Sequence, residues 1–103
     1  MKNLLALIIL AALPYHSYAS IQSSPSTVNM ITVGDTYIRV KLASMTPAEN
    51  CQAQHFYLLD ISDGKNQAQY SAILTAKATQ SEIFFLLSGC EQNYPKITHT
   101  YLP

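Results

Sequence analysis

Charge, tryptophan and cysteine are all scarce in this chain. Of 103 residues, six are basic, six are acidic, two are cysteine and none is tryptophan. Charged residues make up 12% of the sequence, against a usual share of about a quarter. Without a basic excess, nothing draws the protein onto nucleic acid by bulk charge. The cysteines lack the C-x-x-C spacing of a redox pair, and two thiols fall short of the three or four ligands that zinc needs. No H-E-x-x-H, G-x-S-x-G, Walker or dinucleotide-binding glycine motif occurs, which leaves the chemistries they carry without a sequence basis. Internal repeats and low-complexity tracts are missing as well. No apolar run reaches the roughly 20 residues of a membrane-spanning helix.

What is present begins with an export pattern. Lys2 gives a positive start, Leu4 to Leu13 is an uncharged apolar run, and Pro14 ends it. Ser17 and Ala19 place small residues at the two positions that a signal peptidase reads. Residues 1–19 are therefore expected to be a cleavable secretory signal peptide. No cysteine lies near the cleavage point, so no lipid anchor is expected there. The mature protein is expected to be secreted or periplasmic, with no membrane span.

Removing that segment leaves about 84 residues, enough for one domain but only marginally able to hold itself together by core burial. Cys51 and Cys90 both lie in the exported part, where an oxidising compartment turns two thiols into a disulfide. With two cysteines the pairing is forced. Closing a loop of about 40 residues stabilises a fold by about 4 kcal/mol in the chain-entropy model. Loss of Lys2 also leaves the mature chain faintly acidic. A surface this short of charge is built from Ser, Thr, Gln, Asn and Tyr, a composition suited to hydrogen-bonded recognition of polar neutral ligands.

Along the chain, residues 20–27 are polar, hold Pro25 and show no periodicity, and read as a flexible leader. A single domain spans 28–103. VNMITV and TYIRVKLA are two β-branched runs split by Gly34-Asp35, a tight hairpin spacer with Gly34 ready to take positive φ. In the second run Ile38, Val40 and Leu42 alternate with Tyr37, Arg39 and Lys41, the mark of a half-buried strand. Thr46, Pro47 and Glu49 have the spacing of a capped helical turn. His55 to Leu59 reads as a short strand and Asp60 to Asn66 as a turn. A helix is expected over about 67–79, with Tyr70, Ile73, Leu74, Lys77 and Ala78 at helical spacing and Asn66 or Asp63 as its cap. Glu82 to Ser88 is a continuous apolar run, expected to be a strand covered on both faces. Residues 96–102 alternate again as a last strand.

Five strands with one helix before the fourth match the order of an OB-fold, a small Greek-key barrel. An α+β sandwich with the helix on one face is the rival architecture. The helix AQYSAILTAKAT, the hinge Gln80-Ser81, the strand EIFFLL, then Ser88-Gly89-Cys90 and Tyr94-Pro95-Lys96-Ile97 resemble small exported bacterial OB-fold proteins related to the pertussis-like and subtilase-cytotoxin B subunits. The resemblance covers about a third of the chain. It implies a non-enzymatic module that binds glycans as a ring of subunits, and carries over no glycan-contacting residue. The second reading is a periplasmic protein that binds or inhibits another exported protein.

Candidate chemistry is thin. His16 leaves with the signal, so His55 and His99 are the histidines of the mature chain. Asp60 and Asp63 flank a turn with the look of a calcium loop, but the glutamate that would complete an EF-hand is missing. No catalytic residue, cofactor or metal site is assigned, and the protein is read as not an enzyme. The outward positions Tyr37, Arg39 and Lys41 are the candidate ligand-binding residues, with His99 and Tyr101 from the last strand added to them. Tyrosine there offers both a ring and a hydroxyl.

Overall fold

A computed structural model describes residues 20–48 and 50–103. The expected signal peptide, residues 1–19, lies outside the described residues, as does Glu49. Among these described residues, six strands and one α-helix form in the order β1 (Ile21–Gln22), β2 (Ser26–Val33), β3 (Tyr37–Leu42), β4 (Tyr57–Asp60), α1 (Gln67–Thr79), β5 (Glu82–Glu91) and β6 (Tyr94–Tyr101). The strands make one sheet in the order β1-β5-β2-β3-β4-β6, and β5 also pairs with β6, so the sheet closes in a ring. An open sandwich has no such closure. Every neighbouring pair is antiparallel except β4 and β6, which are parallel. Among the described residues no helix is long and apolar enough to cross a membrane.

The core follows from the alternation. Ile38, Val40 and Leu42 of β3 are fully buried and meet Tyr57 and Leu59 of β4, Ile83, Phe85 and Leu87 of β5, and Ile97 of β6. From α1, Ile73 and Ala76 enter the same cluster, with Tyr70 packed against it. The buried stripe is thus Tyr70, Ile73 and Ala76; Leu74, expected to belong to it, is 44% exposed. Gln69 fixes the helix to β6, donating to the Thr98 carbonyl at 3.2 Å and accepting from the Thr100 hydroxyl at 2.8 Å. Asn66 stands at the cap position in the left-handed region and makes no capping bond with its side chain. Its amide donates to the Asp60 carbonyl at 2.6 Å instead.

Residues 20–27 are not a flexible leader. Ile21 and Gln22 pair with Leu87 and Leu86, and Ser26 and Thr27 pair with Ile83 and Glu82, so both short stretches run along one side of β5. Ser23 sits between them at 4% exposure. Its hydroxyl accepts from the Phe85 amide and its own amide donates to the Phe85 carbonyl, both at 2.9 Å. Two of the serines that made the segment look like linker, Ser23 and Ser26, are buried with their hydroxyls hydrogen-bonded.

Other expectations change in detail. Gly34 does not take positive φ. Its need for glycine is steric, since a Cβ there would lie 3.0 Å from Tyr37 Cζ and 3.1 Å from the Tyr37 carbonyl oxygen. Gly34→Ala is expected to destabilise by about 1–2 kcal/mol, read as a lower melting temperature. No described residue of 45–54 is helical, and Glu49, the partner in the expected capped turn, lies outside the described residues; the Thr46 hydroxyl accepts from the Ser24 amide at 3.0 Å, tying the connector to the segment before β2. The strand expected from His55 runs instead from Tyr57 to Asp60. Strand β5 continues past Ser88 to Glu91, carried through Gly89 at φ +73°. It is not covered on both faces: Ile83, Phe85 and Leu87 are buried, whereas Phe84 and Leu86 are partly exposed.

Candidate functional site

On the sides of β3, β4 and β6 that face away from the core, cationic side chains sit among aromatic rings. On β3, Tyr37, Arg39 and Lys41 alternate with the buried residues and are each half-buried. Register sets Arg39 opposite Thr32 on β2 and opposite Leu58 on β4, and Leu58 opposite Lys96 on β6. These four residues form a row across four strands. Leu58 is fully buried although it lies outside the main core cluster, so the side chains of this face cover it.

Arg39 is the centre. Its guanidinium carbon lies 5.8 Å from the Tyr37 ring, 5.5 Å from Phe56 and 5.7 Å from Tyr94. Its Nη1 donates to the Tyr94 hydroxyl at 3.3 Å, and its Nε is buried without a hydrogen-bond partner among the described residues. The rings brace one another: His55 meets Phe56 edge to face at 5.1 Å and Tyr94 at 5.5 Å, and Phe56 meets Tyr94 at 6.1 Å. Lys41 Nζ lies 5.9 Å from the Phe56 ring. Each cation–π contact of this kind is worth about 0.5–1 kcal/mol near a surface. Together they fix the long arginine side chain. Among the described residues the one ion pair is Lys96 with Glu91, at 3.8 Å, so neither Arg39 nor Lys41 is shown spending its charge on a carboxylate.

Two further segments bring the rings to Arg39. His55 and Phe56 end the connector from β3 to β4, and Tyr94 opens β6 after a tight turn in which Gln92 and Asn93 both take positive φ. The Ala53 amide donates to the Asn93 carbonyl at 2.9 Å. The Cys51–Cys90 disulfide, with an S–S length of 2.03 Å, joins the same two segments as the cysteine pairing requires.

Of the five candidate ligand-binding residues, Tyr37, Arg39 and Lys41 belong to this face. His99 and Tyr101 lie on the far half of β6, opposite Leu86 and Phe84 of β5. There Tyr101 stacks on Phe84 at 4.7 Å and on His99 at 6.4 Å. The two groups are on different strand pairs. Phe56 and Tyr94 were not anticipated as site residues, because their approach to Arg39 depends on a connector and a hairpin far apart in sequence.

The Asp60 to Asn66 segment is a hydrogen-bonded turn. Asp60 accepts from the Ser62 amide at 2.8 Å and the Ser62 hydroxyl at 2.6 Å, bonds that hold its carboxyl below the usual carboxylate range. Asp63 points its backbone into the left-handed region and is exposed. The chain matches no protein-family model, and no curated protein or solved structure matches it at a significant level.

Proposed function

We propose that this protein is an exported, non-enzymatic binding module of OB-fold architecture that recognises glycans on the face around Arg39. The fold part rests on connectivity. Because β1 and the start of β2 run along the same side of β5, they act as one interrupted first strand. The ring then runs first, second, third, fifth, fourth and back to first, with the helix between third and fourth. An OB-fold has this order, and its second and third strands present oligosaccharides and oligonucleotides. Those strands are β3 and β4 here.

The observation that carries the functional part is Arg39 held among three rings. Tyrosine hydroxyls, a fixed guanidinium fork and open aromatic edges offer directed donors beside apolar ring faces, the combination that a sugar with hydroxyls on its rim requires. The likeness to toxin B subunits favours the same ligand class and adds self-association, which a native mass measurement tests. Retention on a glycan array is the direct test. Arg39→Ala is expected to weaken the retained glycan at least about tenfold, and Arg39→Lys to recover little, since a lysine lacks the planar fork.

The second reading, a protein that binds or inhibits another exported protein, draws on the same group, because arginine and tyrosine in a braced patch are what interface hot spots use. Recovery of one envelope protein in a pull-down, with no glycan retained, favours it.

A further inference from the structure

The ring has its fewest register pairs between β4 and β6. These strands share one register pair, Leu58 with Lys96, whereas β2 with β3, β3 with β4 and β5 with β6 each share several. The remaining ties at this seam come from outside the paired residues. They include the Cys51–Cys90 disulfide, the bond from Ala53 to Asn93, and the rings of His55 and Phe56 against Tyr94, beside the Arg39 bond to the Tyr94 hydroxyl and the core that Tyr57 and Leu59 share with Ile97.

The connector from β3 to β4 is anchored in two different ways. Its first half is tied to the body of the fold: the Ser44 amide donates to the Ser26 hydroxyl, Thr46 bonds the Tyr57 hydroxyl through both amide and carbonyl, and Ala48 enters the core cluster. In the second half, the Gln54 amide group donates to the carbonyls of Ala48 and Cys51, bracing the segment internally. Its link to the β5–β6 hairpin is the set of ties at the seam. Neither cysteine belongs to the core cluster; Cys51 is buried beside it and Cys90 is exposed.

We propose that the disulfide is a clasp on the Arg39 face: its reduction opens the β4–β6 seam and parts His55 and Phe56 from Tyr94, while the rest of the sheet stays paired. The assembled face then belongs to the oxidised chain alone. A chain that has not yet reached an oxidising compartment carries its residues but not their arrangement. The chemistry is ordinary exchange with a dithiol reductant. One thiolate of the dithiol attacks the exposed Cys90 sulfur and displaces Cys51 as a thiolate. The second thiolate of the dithiol then attacks the mixed disulfide and displaces Cys90. The reductant leaves as a cyclic disulfide, two electrons have passed to the protein, and two protons complete the cysteine thiols.

Amide hydrogen exchange of the purified protein at 25 °C without denaturant, before and after dithiothreitol, tests this without any ligand. It therefore stands or falls apart from the glycan reading. Reduction also frees the unfolded chain, which speeds every globally exchanging amide by one common factor. Beyond that factor, the hydrogen-bonded amides within 51–56 and 92–96, Ala53 first among them, are expected to accelerate at least about tenfold more than Val40, Phe85 and Leu87. The Cys51→Ser, Cys90→Ser double variant should show the same pattern without reductant. Equal acceleration at seam and core makes the bond a staple of the whole fold and overturns the clasp, as does no acceleration at the seam. Complete unfolding of both the reduced protein and the double variant overturns it too.

Discussion

Phe85→Ala is expected to lower the unfolding free energy by about 3–5 kcal/mol, the usual cost of emptying a buried phenylalanine site. Phe85 is 0% exposed, meets Tyr57 edge to face at 5.8 Å, and lies in the cluster that joins β3, β4, β5, β6 and the helix. Its neighbour Phe84 faces the other way, onto Tyr101, and is partly exposed. Phe84→Ala is therefore expected to cost less than about 1.5 kcal/mol. Small domains have only about 5–15 kcal/mol in total, so Phe85→Ala brings this one close to unfolding. Urea unfolding followed by circular dichroism separates the two variants. Similar costs would mean that β5 is covered on both faces, as its apolar run alone suggests.

Tyr57→Phe is the second large effect. The Tyr57 hydroxyl accepts from the Thr46 amide at 2.8 Å and donates to the Thr46 carbonyl at 2.7 Å. Phenylalanine keeps the ring and leaves both backbone groups without that partner, at an expected cost of about 2 kcal/mol. A pH effect accompanies it. Burial holds the Tyr57 hydroxyl above the ordinary tyrosine range, with the two Thr46 bonds pulling it back. The folded chain thus keeps this proton at a pH where the unfolded chain has lost it. Its contribution is complete below about pH 10, the unfolded value, and is lost as pH rises through the higher folded value. Wild type should lose stability on that alkaline side more steeply than Tyr57→Phe. Parallel curves for the two proteins would exclude Tyr57 as the group responsible.

Both predictions turn on which way side chains face, and the sequence was uneven in showing that. In β3 the chemistry alternates with the geometry, so Ile38, Val40 and Leu42 read as inward at sight. The helix was equally plain, its alanines and its end before Gln80 marking it over Gln67–Thr79. In β5 the geometry alternates and the chemistry does not. Phe84 and Leu86 are as apolar as Phe85 and Leu87, and their outward side is marked only by partners on β6, Tyr101 stacked on Phe84 and His99 opposite Leu86. Ser23 failed in the opposite sense, a polar residue buried because Phe85 satisfies it. Composition registers polarity, but burial of a serine depends on a strand about sixty residues away.

The site was legible by half. Alternation sufficed to put Tyr37, Arg39 and Lys41 on one outward side. Their partners were hidden, because Phe56 ends an irregular connector and Tyr94 follows a turn, and neither segment has a period that predicts a facing. His99 and Tyr101 were added to the same group as further positions on the last strand, whose pairing the sequence does not show. Strand β6 pairs with β5 in both halves, shifts register near Thr98, whose hydroxyl donates to the Leu86 carbonyl at 3.1 Å, and carries His99 and Tyr101 beyond its pairing with β4 at Lys96.

That division between two outward faces makes the central claim testable with two variants. On whichever glycan the array retains, affinities of wild type, Arg39→Ala and Tyr101→Ala are compared by titration. Recognition around Arg39 predicts at least about a tenfold loss for Arg39→Ala and less than about twofold for Tyr101→Ala. A loss confined to Tyr101→Ala, with Arg39→Ala binding as wild type, would contradict it and move the binding face to β5 and the end of β6.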